Sequence, residues 1–190
     1  FESGGDPKNI PDLTYQDFTE FHRKHYHPSN SRLFLYGDGD TQSYLDFLQK
    51  KYLHDFSHME VNTSIVHQRS FRKPKRKPMS YPVSSDESLE KKTYVLVGYK
   101  LDKAINHEHC LGFSILSHLL LGSSASPLRK ALITSELGSE VMGGGFDDNR
   151  ADTMFAVGLK GTELEHENEI LALIDSTLRE LAENGIEKDM

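Results

Sequence analysis

The sequence predicts an α+β fold: two sheet-plus-helices units, each incomplete, joined by a linker. Three observations lead there. Short apolar runs bounded by Gly or Asn alternate with stretches of helical periodicity in both halves of the chain. Periodicity lapses across residues 57–90, which hold three prolines, several serines and a basic run. Finally, both ends read as cut, since the chain opens at Phe1 rather than a methionine and closes on Gly185 to Met190, which resembles the approach to another helix. The organisation predicted is a first unit over 1–58, a linker over 59–90 and a second unit over 91–190.

Residues 1–12, rich in Gly, Pro, Asp and Asn, read as an irregular opening loop. Thr14 and Asp17 resemble a capping box with aspartate in place of the usual glutamate. Phe18, Phe21, His22 and His25 then recur at helical spacing, predicting a helix over about 14–26 that Pro28, Ser29 and Asn30 stop. Arg32 to Tyr36 is a short apolar run that reads as a buried strand. Asp40 or Thr41 caps a helix to about residue 56, striped by Tyr44, Leu45, Leu48, Tyr52, Leu53 and Phe56.

Beyond the linker, Thr93 to Tyr99 has strong strand propensity and little polar interruption, which predicts a central strand. Asn106 caps a largely buried helix over 107–121. Ser126-Pro127 opens another helix, with serine at the cap, lined by Leu128, Leu132 and Leu137 and ended by Gly138. Gly138 to Arg150 reads as a loop around Gly143-Gly144-Gly145. Asp152 to Gly161 alternates as a strand with Phe155, Val157 and Leu159 on one face. A final helix runs from Thr162 or Glu163 to about Glu183; its glutamate-rich first turns suit the positive end of the helix dipole, and Gly185 closes it.

With 190 residues, 36% hydrophobic and 27% charged, the composition is ordinary for a globular chain. No apolar run approaches the roughly 20 residues a membrane-spanning helix needs. A formal net charge of −7 disfavours nonspecific nucleic-acid binding, which depends on Lys and Arg neutralising phosphates. The single cysteine, Cys110, excludes a disulfide within one chain and any multi-cysteine zinc site, and sits in an apolar pattern.

Among ten histidines the densest cluster is His22-x-x-His25-x-His27. Two of these share a helix face, yet no acidic residue stands where a general base is needed and His27 lies beyond the helix end, so the cluster reads as structural or as surface. His107 and His109, two apart on a helix, point to different sides and cannot chelate together. Neither His-Glu-x-x-His nor its inverse occurs. There is no nucleophile elbow, and the triple glycine lacks the ending of a phosphate loop. That run, Gly143, Gly144 and Gly145 with Phe146, is the one candidate for contact with a peptide, through a hairpin or a close backbone approach. The basic run 69–77, six Lys or Arg in nine residues, reads as a solvated linker that the acidic remainder attracts, with an anionic partner or a nuclear signal as the alternative.

Identity comes from resemblance. Ser3-Gly4-Gly5-Asp6-Pro7, Ile10-Pro11-Asp12-Leu13-Thr14, Phe21-His22, Tyr26-His27-Pro28-Ser29-Asn30-Ser31-Arg32, Phe34 and Tyr36-Gly37 resemble the presequence-protease and falcilysin branch of the pitrilysin/insulinase zinc metallopeptidases. Glu136-Leu137-Gly138, Gly145-Phe146 and Phe155 to Gly161 resemble the second domain of that branch. The resemblance implies sheet-plus-helices domains of the LuxS/MPP-like type. It implies an intact protein of four such domains closing around a peptide chamber, with zinc held by an inverted His-x-x-Glu-His motif and a later glutamate. Those residues precede the Gly-Gly-Asp-Pro segment in the family, so no metal ligand, no catalytic residue and no cofactor is expected within this chain. The implied partners are oligopeptides such as cleaved targeting presequences, with no nucleic acid and no membrane; exposed sheet edges suggest self-association. The implied compartment is mitochondrial or plastid. A non-catalytic relative of the same fold is the alternative, and an interaction module built on the basic linker is a second.

Overall fold

The structure is a computed structural model and describes residues 4–186. Expectations that fall on Phe1 to Ser3 or on Glu187 to Met190, including the start of the Ser3-to-Pro7 motif and the turn toward a further helix, lie outside the described residues. The chain divides into two units, residues 1–64 and 65–190.

In the first unit local chemistry sets the helix boundaries. Helix α1 spans Tyr15–His25 and begins with the expected box: the Thr14 hydroxyl accepts from the Asp17 amide at 3.1 Å, and the Asp17 carboxylate accepts from the Thr14 amide at 3.0 Å. Helix α2 spans Thr41–Lys51, capped by Asp40, whose carboxylate accepts from the Ser43 amide at 2.8 Å. It is shorter than its apolar stripe suggests, because the chain tightens into a 3-10 turn over Leu53–Asp55. The expected strand over 32–36 does not form. A strand needs a neighbour to complete its ladder, and among the described residues of this unit none is offered. Leu33, Phe34, Leu35 and Tyr36 are all exposed, Tyr36 at 96%.

The second unit is organised by nonlocal pairing. Strands β1 (Thr93–Lys103), β2 (Glu140–Asp147) and β3 (Asp152–Thr162) form an antiparallel sheet in the order β1-β3-β2. The central strand is therefore β3, and β1 lies at an edge, against expectation. Its apolar density reports burial of a face and not pairing of both edges; among the described residues it has a ladder on one side only. Helices α3 (His107–Leu121), α4 (Pro127–Thr134) and α5 (Glu167–Asn184) complete the unit. Leu120, Leu128, Leu132, Ile170 and Ile174 meet Val95, Phe155, Val157 and Leu159 in one core. The alternation expected of β3 places Phe155, Val157 and Leu159 in that core together.

Two local readings change. Ser126 precedes Pro127 as expected, but its hydroxyl makes no cap bond and instead accepts from the Ser123 amide at 3.0 Å, tightening the turn before α4. Helix α4 stops at Thr134 rather than near Gly138, since Glu136 adopts a left-handed backbone, φ +57°. Leu137 still packs on the core.

Candidate functional site

The glycine run is a strand, not a loop. Glu140, Val141 and Met142 pair with Lys160, Leu159 and Gly158, and Gly145, Phe146 and Asp147 with Ala156, Phe155 and Met154. Between these two blocks, Gly143 and Gly144 stand opposite Val157 alone, which is a β-bulge. All three glycines have positive φ: +112°, +74° and +76°. A side chain at Gly143 would place its Cβ 2.5 Å from the Ala156 carbonyl oxygen, so here the close backbone approach requires glycine. Gly144 faces open space. Sequence reading took this segment for a loop because glycine depresses every strand signal; the bulge is what makes the glycines compatible with a ladder.

The bulge also decides which way Phe146 points. Val141 and Phe146 are five residues apart and would lie on opposite faces of a regular strand. The extra residue brings both inward, where both pack on the core. Phe146 meets Phe113 of α3 with ring centroids 5.8 Å apart, and its amide donates to Ser117 Oγ at 3.0 Å. Helix α3 thus holds the bulge from the core side. Towards solvent β2 offers the main chain of Gly143 and Gly144, on an edge with no ladder partner among the described residues, while Gly145 is buried against α3. Such an edge can accept an extended peptide through backbone hydrogen bonds.

The histidine cluster is engaged in packing. His22 stacks on Tyr26 at 4.7 Å, His25 tilts against Phe21 at 4.5 Å, and His27 meets the edge of Phe56 while its Nδ1 accepts from the Ser29 amide at 3.2 Å. Among the described residues no three His, Cys, Asp or Glu side chains are gathered as a metal would need. The residues present do not fit a zinc site. Cys110 is buried, with Sγ 3.5 Å from the Ala104 carbonyl oxygen.

Sequence reading missed two polar groupings. Asp102, at the end of β1, accepts from its neighbour Lys103's amide at 2.7 Å and from the Asn106 side chain at 2.9 Å, and lies 2.5 Å from His109 Nδ1. The Lys103 amide, then His109, hold its carboxyl below the ordinary range. Asn106 was legible as a cap; its bond to Asp102, four residues back across a turn, was not. Asp152 gathers Gln68, His67 and Lys100, and a distant contact of this kind leaves no local signal.

Comparison with known proteins agrees with this fold. A family model described as the peptidase M16 inactive domain matches residues 12–189. The chain is 42% identical over 188 residues to Protein HypA of Clostridium perfringens, covering 99% of this chain and 19% of that protein. It is 41% identical over 191 residues to presequence protease 1, chloroplastic/mitochondrial, of Arabidopsis thaliana, covering 99% and 18%. It is 36% identical over 189 residues to the mitochondrial presequence protease of Xenopus laevis, covering 98% and 18%. The chain thus spans less than a fifth of the length of these relatives. A crystal structure of a protease from Helicobacter pylori shares the fold, with a TM-score of 0.56 at 19% identity over 97% of this chain and 44% of that one.

Proposed function

The chain belongs to the peptidase M16 family, in its presequence-protease branch, and on that premise we propose that it is a non-catalytic part of a zinc metalloendopeptidase. The parent protein would degrade oligopeptides, cleaved targeting presequences among them, inside a closed chamber. The observation that carries this reading is the sustained identity to two proteins named presequence proteases over 98 to 99% of the chain. In this reading residues 1–58 end a first, catalytic-type domain and 91–190 begin a second, non-catalytic one. Zinc and the catalytic groups belong to other parts of the parent; this chain contributes wall and support.

The role we assign to the glycine run is peptide contact at Gly143 and Gly144, with Gly145 and Phe146, turned to the core side, holding the bulge in place. The glycine main chain would pair with an extended peptide, while Phe146, seated against Phe113, and Ser117 fix the bulge in position. Gly144→Pro in the intact protein tests this, since proline removes the amide donor and, fixed at negative φ, cannot hold the left-handed backbone of Gly144 (φ +74°), so it distorts the exposed part of the bulge without filling a packed site. Weaker peptide affinity is expected; unchanged affinity and turnover would remove the assignment. The same open edges would let the isolated chain self-associate. Neither nucleic acid nor membrane is a partner in this reading. A mitochondrial or plastid compartment is supported by the relatives' names, although HypA comes from a bacterium.

A second reading, a non-catalytic relative throughout, draws support from the description of the matched family model as an inactive domain. One experiment separates the two. An unstructured presequence-like peptide is incubated with the full-length protein, with and without a zinc chelator, and with this chain alone. The peptidase reading expects chelator-sensitive cleavage by the full-length protein and none by the chain. No cleavage by the full-length protein favours the non-catalytic relative, and cleavage by the chain alone sinks both.

A further inference from the structure

The segment between the two halves has no regular secondary structure from Phe56 to Lys92, yet it is not a free tether. Structureless segments longer than about 15 residues are uncommon in compact domains unless they carry a role of their own. This one touches the second unit at widely separated points. The Gln68 amide donates to Asp152 Oδ2 at 2.7 Å, and His67 Nδ1 lies 3.1 Å from Asp152 Oδ1. Arg76 grips Glu167, the first residue of α5, through two parallel bonds of 2.6 and 2.7 Å. The Lys91 amide donates to Glu163 at 2.6 Å, and the Tyr81 hydroxyl donates to the Lys92 carbonyl oxygen while its ring meets Tyr94 edge-on at 5.4 Å. Lys91 takes a left-handed backbone, φ +54°, where the segment turns into β1.

These fastenings are polar and nearly all exposed. From residue 65 to 92 only Val83 and Lys92 are even half-buried, so little apolar surface holds the segment down. Exposed ion pairs are screened by salt and individually weak. Regions with few buried apolar contacts open before the structure around them. We propose that residues 65–92, the opening stretch of the second unit, form a strap that docks along the remainder of that unit and detaches from it without unfolding it, with Asp152 and Glu167 as its two catches. This assigns the basic run a definite job: among the described residues, Arg76 is the one of its six cations that fastens. The inference does not depend on the peptidase reading.

Limited digestion of the whole chain with chymotrypsin tests it, because Phe71 and Tyr81 lie exposed in the strap and survive the substitutions used. Cleavage tracks the population of the detached form when reclosing outpaces cutting. Glu167→Arg and Arg76→Glu alone should each speed cleavage after Phe71 and Tyr81 about threefold to fivefold, the range expected for one exposed, well-formed pair. The double swap should return the rate to within about twofold of the original. Glu167→Gln, a milder change at the same catch, should accelerate cleavage less and leave the thermal midpoint of the second unit in place. Singles that cut at the original rate, or a swap that fails to restore it, would overturn the strap. So would a fall in the thermal midpoint that parallels the faster cutting, since detachment would then be unfolding of the unit itself.

Discussion

The two units are built by different kinds of force. In the first, α1 and α2 carry side-chain caps at their N-termini, yet neither contains a buried residue. Among the described residues, every member of the buried core lies in the second unit, from Val95 onward. Helix α4, in that second unit, shows the reverse of α1: its Ser126 cap is unused, yet Leu128 and Leu132 are fully buried. Caps therefore place the helix starts of the first unit, and burial decides which region resists unfolding.

The sharpest way to break that contrast is to delete one large side chain from each unit. Leu132→Ala should lower the stability of the second unit by about 2–5 kcal/mol, as expected for a fully buried leucine. Phe34→Ala should change stability by no more than about 0.5 kcal/mol, since Phe34 is exposed. Equal effects on a urea melt followed by circular dichroism would refute the division. Next in size, Gly143→Ala should cost about 1–3 kcal/mol, combining a left-handed backbone with a Cβ too close to the Ala156 carbonyl. Gly144→Ala, with open space around it, should cost less, and the two melts compared side by side check the order.

A smaller effect comes from acid. The Gln68 amide, then Lys100 and His67, hold the Asp152 carboxyl below its ordinary value, and Arg76 does the same for Glu167. Groups with depressed values stabilise the form that binds them above the ordinary carboxylate range, about pH 4, and lose that contribution as pH falls below it. The Gln68 amide resonance, followed by NMR from pH 6 to about pH 2.5, should stay fixed until near pH 4 and then shift. The smallest effect is expected of Thr14→Ala, which should fray the first turn of α1 and reduce helical ellipticity slightly, while the main melting transition stays where it was.

The same contrast explains what could be read in advance. Thr14 with Asp17, Asp40 and Asn106 announce helix starts because a cap bonds within three residues of itself. The alternation of Phe155, Val157 and Leu159 announces β3 in the same local way. Whether Leu33 to Tyr36 finds a ladder, whether β1 or β3 sits in the middle, and whether a glycine run bends into a strand all depend on partners dozens of residues away. The resemblance to a peptidase branch was legible from ordered motifs alone, whereas Asp152 and Glu167 gained meaning only once residues 67 and 76 were seen beside them.

The bulge in β2 carries a consequence for how this sequence can change length. Removing one residue elsewhere in that strand would turn every following side chain to the wrong face. Removing Gly143 or Gly144 instead leaves one residue opposite Val157, and the pairings on either side, Met142 with Gly158 and Gly145 with Ala156, survive unaltered. The sheet thus contains one position where a shortened gene product keeps its strand register, and where homologues differing by a single residue should be sought first.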